Sequence, residues 1–529
     1  MSTENTLSLE DSLQIALTLY NRGDFQNSLS LCTQILSLFP HCSDAWNIAG
    51  LNVLALKLPD KAIGYFTEAY THRALPSYLT NLAEAHRRNH EPRESIRILA
   101  ALLEHDSCNP LLLYNLARAF QDAGDPQESL RFYQKTLQYA PEDRDALYNL
   151  ANLLSCSSPK EALEFYQKAA MLGHPYAAQN QARLLVEMDL LEEALALYRS
   201  LLAKEEKNHE LWFNYANALA LHASYAQAKE AYQKAIHLSP RSSAYRLNLA
   251  YLHLRLGELG AGFELYEARR ELEGVTPNLS SLWQPGESLE GKRILLYHEQ
   301  GLGDTLMFSR FIPLLEAKAS SVLFLPQRPL TPLFTKALIE LPPKESYDIA
   351  LPLPSLPLAL HLTSPLAPPP KESRRALSRR IKVGFVCASH SNFPGAKEKS
   401  IDPRILLESL QGLPFALHSF QVEGIDVSLI EAFGLVDIGS TLRDFKETQE
   451  SLLEMDYFIT IDTAIAHLIG NLGMEAALLL PKRADWRWEI KEHSSWHPSL
   501  RLFRQVCLGS WEEPLSELRE YLEERWNAK

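Results

Sequence analysis

The sequence predicts an α-helical repeat solenoid followed by an α/β region in two halves, and three observations carry that expectation. A period close to 34 residues runs from about residue 9 to residue 273. Beyond it the period stops and proline rises, with 16 of the 31 prolines between 271 and 400. On either side of the densest proline cluster, short apolar runs alternate with helical patterns, as buried parallel strands and their crossover helices do.

At 529 residues the chain has room for roughly three domains, each with its own core. Apolar residues make up 46% and charged residues 22%, a globular composition far from the disordered regime. The 52 Lys and Arg against 65 Asp and Glu leave a formal charge of −13, so no global positive field exists to hold nucleic acid or an anionic membrane. Only 22 glycines occur, which favours helices over turn-rich β architecture. The six cysteines are scattered, without the C-x-x-C spacing of a zinc or redox site. Reduced thiols and a cytoplasmic location are therefore expected. The opening MSTENTLSLE has neither a basic nor an apolar segment of a secretory signal. The most apolar long stretch, 464–480, contains His467, Asn471 and Glu475, so no transmembrane segment is expected.

Repeat starts fall near residues 9, 43, 76, 110, 144, 175, 209 and 243, giving eight helix-turn-helix units within 1–273. The seventh unit shows the anchors most fully: Trp212, Ala216, Ala228, Tyr232, Ala235 and Pro240. Others repeat them with Gly124, Tyr133 and Pro141, or with Trp46, Ala62, Phe66 and Ala69. Small residues let two helices approach closely and the aromatic fills the gap at the next unit. This pattern is that of a tetratricopeptide repeat, whose units stack into a superhelix with a concave groove.

One column is not explained by packing. Asn81, Asn115, Asn149, Asn180, Asn214 and Asn248 occupy the sixth position of the first helix in six consecutive units. An amide pairs with both the N–H and the C=O of an extended peptide, so a row of them in the groove would read a protein acceptor's backbone. The alternative is that each Asn ties one repeat to the next. The column resembles the asparagine ladder of eukaryotic O-linked N-acetylglucosamine transferase.

The remainder reads as two α/β halves, 274–372 and 373–529. Apolar runs at 293–297, 321–325 and 347–351 predict strands in the first, and the segment from Thr305 to about Ala317 a helix. The second offers runs at 381–387, 457–461 and 476–480. Pro365, Pro368 to Pro370 and the polar KESRRALSRR after them read as an interdomain linker.

Two strand-to-helix turns hold the candidate chemistry, because ligands of parallel sheets sit at the carboxyl ends of strands. In the first, Gly301 and Gly303 would let the backbone approach a ligand and Asp304 opens the next helix, as a functional acid or simply as an N-cap. In the second, Asp462, Thr463, Ala464 and Ile465 start a helix directly after a buried strand, where free N–H groups favour a diphosphate. His467 lies a turn further in, as a ligand to the same anion or as an ordinary helix histidine. Between the turns the loop SHSNFPGAKEKSID carries His390, Lys397 and Lys399.

Together EQGLGDTLMFSRFIPLL, KSIDPRILLESL, DYFITIDTAIAHLIGNLG and ADWRWEIKEHSSWHPSLRLFRQ resemble the C-terminal part of bacterial tetratricopeptide proteins whose GT-B domain is related to lipopolysaccharide heptosyltransferases. The resemblance implies a GT-B fold with a reduced first half, Asp304 as catalytic base and Lys399 as a donor-phosphate contact. It further implies that Asp462, Thr463, Ala464, Ile465 and His467 hold a nucleotide diphosphate and its sugar. The segment around Asp485 to Trp488 resembles the repeat-bearing family and not the heptosyltransferases, so its role is open: its aromatics stack on a base or sugar, or merely pack.

The function expected is transfer of a sugar from a nucleotide-sugar, a substrate and not a cofactor, to a protein acceptor such as flagellin or another surface protein held by the repeats. No metal site and no nucleic-acid partner are expected. The rival readings are a non-catalytic adaptor with a degenerate GT-B domain and a transferase acting on a glycan or lipopolysaccharide.

Overall fold

The computed structural model describes residues 8–272, 279, 281–368, 380–389 and 395–527. The chain divides into two compact units, one ending at Lys204 and the other beginning at Glu205.

The first unit is six antiparallel helix pairs. Their first helices are Leu9–Asn21, Ser43–Ala55, Pro76–Arg88, Pro110–Asp122, Arg144–Leu154 and Ala177–Glu187. Local chemistry sets the ends. Asn109 Oδ1 accepts the N–H groups of Leu111 and Leu112 at 3.1 and 3.3 Å, and Asp125 Oδ1 accepts that of Glu128 at 3.1 Å. Pro59, Pro92, Pro126 and Pro159 each begin a second helix, where a missing N–H costs nothing. In five of the six pairs the turn holds a left-handed residue, Gly23 and Gly124 in two of them but Lys57, His90 and Asp189 in the others. The anchors then pack as small against large: a Cβ on Gly50 would lie 2.6 Å from the Phe66 ring, and Ala62, Phe66, Ala69 and Tyr133 are fully buried. Ser28 and Ser129 each donate a buried hydroxyl to the preceding helix, to Ala16 O and Ala117 O at 2.7 and 2.8 Å.

The second unit opens with two more pairs, His209–Leu221 with Tyr225–Leu238 and Ser243–Arg255 with Leu259–Tyr266, closed by a 3-10 turn over Glu267–Glu271. Two parallel sheets follow. The first has β1 (Arg293–Tyr297), β2 (Ser321–Leu325) and β3 (Ile349–Pro352) in the order β2-β1-β3. Pro352 is tolerated because it ends an edge strand. The second contains β4 (Ile381–Phe385), β5 (Phe415–Ser419), β6 (Val436–Asp437), β7 (Tyr457–Ile461), β8 (Ala476–Leu480) and β9 (Leu500–Arg504). Its spatial order is β6-β5-β4-β7-β8-β9, so successive strands run outward in both directions from the β4–β7 pair.

Leu254, Phe263 and Tyr266 of the last repeat share one core with Ile294, Leu296, Phe308, Phe311, Trp486 and Trp496. An ion cluster reinforces the junction: buried Arg269 meets Glu299 Oε1 at 2.7 Å, Glu267 Oε1 at 2.6 Å and the Ser355 hydroxyl at 2.7 Å. The final helix, Glu512–Asn527, covers the second sheet with Leu515, Leu518 and Leu522.

Three expectations are corrected. The single helix from Thr305 to Ala317 is two, Leu302–Ser309 and Ile312–Glu316, because Pro313 cannot supply the N–H that would carry one helix through. Strand β3 begins two residues later than the apolar run at 347. Strands β5, β6 and β9 lie in segments where no strand was expected. FALHS contains a histidine and LRLFR alternates with arginine, whereas a uniformly apolar run is the signal of a buried parallel strand. The linker residues Pro369 to Arg379, His390 and the boundaries at 273/274 and 372/373 lie wholly or partly outside the described residues.

Candidate functional site

A cleft of about 620 Å³ opens in the second unit at the carboxyl ends of β4, β5 and β7. Its walls are the loops that leave those strands and the N-termini of two helices, Leu302–Ser309 and Ala464–Asn471. This is where strand order reverses, the place at which the loops diverge and leave a crevice. Of the residues expected at the site, Gly301, Gly303, Asp304, Lys399, Asp462, Thr463, Ala464, Ile465 and His467 all line this one cleft.

The second turn is built by β7, whose five residues are all buried. Thr463 is extended and caps the following helix without a side-chain cap bond, its hydroxyl lying 3.4 Å from Ile461 O. The first free N–H groups of that helix therefore belong to Ala464 and Ile465 at the cleft wall. Lys399 Nζ lies 2.6 Å from Asp462 Oδ2, so the expected phosphate-binding cation is seated beside the expected phosphate-binding turn.

The first turn differs from expectation in two ways. Gly301 is the N-cap, and Asp304 is the third residue of the helix, accepting the Gly301 N–H on Oδ2 at 3.1 Å. Gly303, which lines the cleft, is also required for a side chain: a Cβ there would lie 2.8 Å from His467 Cδ2. The remaining Asp304 oxygen accepts from Arg487 Nη2. Arg487 Nη1 in turn meets Asp485 Oδ1 at 2.7 Å, with the guanidinium 4.5 Å from the Trp486 ring centroid. Burial would raise the Asp485 pKa, but Arg487 more than offsets it and holds the carboxyl below its usual range. Despite its own burial, Arg487 is raised well above its ordinary value by Asp304 and Asp485.

His467 is 4% exposed and stacks on Trp488 with centroids 4.9 Å apart. Burial, helped by Arg487 and Arg310, pushes its pKa down to about 3. It therefore faces the cleft as a neutral ring. Its Nδ1 lies 3.0 Å from Nε2 of His497, whose pKa burial pushes well down.

Sequence reasoning passed over Asp485 and Arg487 as ligand-facing residues, and over Ser389, Gln421 and Glu423, which also line the cleft. A charged pair set among tryptophans in ADWRW was the available signal, since a buried ion pair is the usual reason for such a mixture. Trp486 and Trp488 are 4% and 0% exposed, so they pack and do not stack on a ligand. Among the described residues no group of three or more metal-ligating side chains converges, and no helix is long and apolar enough to cross a membrane.

The asparagine column is divided in its bonding. Asn81 Nδ2 donates to Asn47 Oδ1 at 2.8 Å, Asn149 to the Tyr114 hydroxyl at 3.1 Å and Asn180 to the Tyr148 hydroxyl at 2.9 Å. Each ties its repeat to the one before. Asn248 donates within its own helix, to Ala244 O at 2.9 Å. Asn115 and Asn214 carry no side-chain bond of this kind among the described residues, and all six are half-buried.

A tetratricopeptide repeat family profile matches residues 13–78, 114–178 and 222–271. Tetratricopeptide repeats thus run through approximately the first 270 residues. Protein FlbA of Caulobacter vibrioides is 25% identical over 328 residues, covering 51% of this chain and 53% of FlbA. The chain accordingly spans about half the length of the curated relative it matches. Among solved structures, a tetratricopeptide repeat protein from Parabacteroides merdae is similar at 16% identity, covering 44% of this chain and 93% of that one with a TM-score of 0.36. PilF of Pseudomonas aeruginosa is similar at 16% identity, with 40% and 96% covered and a TM-score of 0.35.

Proposed function

We propose that the cleft binds a nucleotide-sugar and that the chain is a metal-independent GT-B glycosyltransferase whose repeats hold a protein acceptor. The observation that carries this reading is the convergence of Lys399 and the N-terminus of helix Ala464–Asn471 at the β4–β7 switch in strand order. Helix N–H groups and a lysine are what a leaving diphosphate needs, because they stabilise the charge that develops without a metal ion. In this reading the two sheets are Rossmann-like halves, the first reduced to three strands. Lys399 exchanges the Asp462 carboxylate for a donor phosphate, and Ala464, Ile465 and the Thr463 hydroxyl complete the anion site. Asp304 accepts the proton of the attacking hydroxyl, while Arg487 holds its carboxylate in place. A helical repeat array that binds an extended protein segment would present the acceptor.

A second reading, an adaptor whose sheets are only structural, is favoured by the way the cleft's charges already satisfy one another: Asp304 with Arg487, and Lys399 with Asp462. Donor binding separates the two. Screening the purified chain by thermal shift against uridine, guanosine, cytidine, adenosine and thymidine diphosphate sugars is the test. A donor at 100 times its Kd adds about 2.7 kcal/mol of stability. Silence across the whole panel would leave the adaptor.

A further inference from the structure

Behind the cleft wall lies a buried polar chain that the proposed chemistry does not use. Arg310, on the loop after helix Leu302–Ser309, donates from Nη1 to Trp496 O at 2.5 Å and from Nη2 to Asn471 Oδ1 at 2.6 Å. The same Nη2 lies 3.1 Å from His497 Nδ1. His497 Nε2 lies 3.0 Å from His467 Nδ1. The far edge of the His467 ring lies at Gly303, in the cleft wall, where a Cβ on that glycine would come within 3.4 Å of His467 Nε2.

We propose that Arg310 and His497 are positioning residues that fix His467 as its Nε2–H tautomer and so supply the cleft with a neutral hydrogen-bond donor. The argument is one of donor bookkeeping. A guanidinium can only donate, so His497 Nδ1 must accept. A neutral His497 then carries its proton on Nε2 and donates it to His467 Nδ1. A neutral His467, its Nδ1 occupied as an acceptor, carries its own proton on Nε2. Burial keeps both rings neutral, so the assignment propagates without a charge. The Gly470 carbonyl also lies against His497, but a proton placed on Nδ1 to serve it would face the guanidinium hydrogens. Gly470 makes room for the ring, since a Cβ there would lie 2.1 Å from His497 Nδ1.

Resting on the nucleotide-sugar reading, the inference names what that donor meets: a phosphate or sugar oxygen of the bound donor, recognised by a hydrogen bond and not by an ion pair. A neutral donor at this point distinguishes His467 from Lys399, which supplies charge.

The experiment is long-range proton–nitrogen NMR on the full chain labelled with [15N]histidine, with His467→Gln and His497→Gln identifying the two rings by loss of signal. Protonated Nε2 and bare Nδ1 at both rings are expected. A proton on Nδ1 of either ring in the parent overturns the relay, and so does an imidazolium at neutral pH. His497→Gln presents an amide oxygen to Arg310 and an amide N–H to His467, and should keep the His467 tautomer. His497→Phe should leave it a mixture. A His467 that keeps one tautomer in the Phe variant overturns the positioning role. If a Gln variant does not fold, the parent spectrum still decides, with the other Gln variant assigning one ring directly and its neighbour by proximity. Binding of nucleoside diphosphates to the same proteins should weaken about five- to tenfold in His497→Phe and be restored in His497→Gln. No nucleotide binding by the parent would sink the function proposed above while leaving the tautomer result standing, so the two failures are distinguishable.

Discussion

Arg487 holds Asp304 across the cleft, closing an ion pair between the segment after β8 and the helix after β1. The same guanidinium holds Asp485, so one cation neutralises two carboxylates at the cleft. Removing it exposes both to an unpaired state. Arg487→Leu is expected to destabilise the second unit by about 3 to 5 kcal/mol, whereas Asp304→Asn, whose single carbonyl oxygen keeps only one of the two bonds that Asp304 accepts on separate oxygens and which leaves Arg487 paired with Asp485, is expected to cost about 1 to 3 kcal/mol. Denaturant unfolding of both variants and the double variant checks this, and additive losses would show that the pair is not coupled.

Asp304→Asn also tests the proposed chemistry. A general base is worth about 10² to 10⁴ in rate, so sugar transfer should fall at least a hundredfold with donor affinity close to that of the parent. Full turnover in this variant removes Asp304 as the base and leaves the anion site untouched.

At the anion site, Lys399→Ala should weaken nucleoside diphosphate binding by roughly 1.5 to 3 kcal/mol and Thr463→Val by about 1 kcal/mol. Calorimetry gives both values. The order is the informative part: an equal or reversed effect would mean that Lys399 serves Asp462 and not the ligand.

Acid should undermine the second unit through its buried histidines. His467 and His497 have folded pKa values below their unfolded ones. The unfolded chain therefore binds more protons below about pH 6.5, and stability falls as pH drops from there toward the His467 value of about 3. Each neutral histidine contributes a slope of about 1.4 kcal/mol per pH unit in that window. Between about pH 6 and pH 4.5, before most carboxylates titrate, His467→Gln with His497→Gln should flatten the curve. An unchanged slope would show that these rings are not the groups responsible.

In the repeats, the two readings of the asparagine column now separate by position. Asn149→Ala and Asn180→Ala each remove a bond to the preceding repeat and should cost the first unit about 1 kcal/mol apiece. Asn115→Ala removes none and should leave stability unchanged. Pull-down of an acceptor protein that weakens in Asn115→Ala would establish backbone reading, while full binding in all three variants would leave the column as an inter-repeat tie.

The helical repeat was legible in the sequence because each unit solves the same local problem. Ala62, Phe66 and Ala69 recur as small, large and small at fixed spacing, and the caps at Asp24, Asn109 and Asp125 lie within three residues of the groups they satisfy. The same holds for the two strand-to-helix turns: a buried strand followed by Asp462 and Thr463 announces a helix N-terminus whatever surrounds it. What only the tertiary structure decided are relations between segments far apart in sequence. Asp304 and Arg487 are 183 residues apart and Arg310 and His497 are 187 apart, and no local pattern encodes either pairing. Gly303 illustrates the difference. Its sequence neighbours suggest a ligand cradle, and only the fold adds the second demand, that of the His467 ring filling the space where its Cβ would stand, brought there by the packing of helix Leu302–Ser309 against helix Ala464–Asn471. Strand β9 was hidden for a related reason: its half-buried Arg504 is met by Trp488 O, a neighbour that the fold supplies, whereas in β5 the acceptor for His418 is Ala416 O of its own strand.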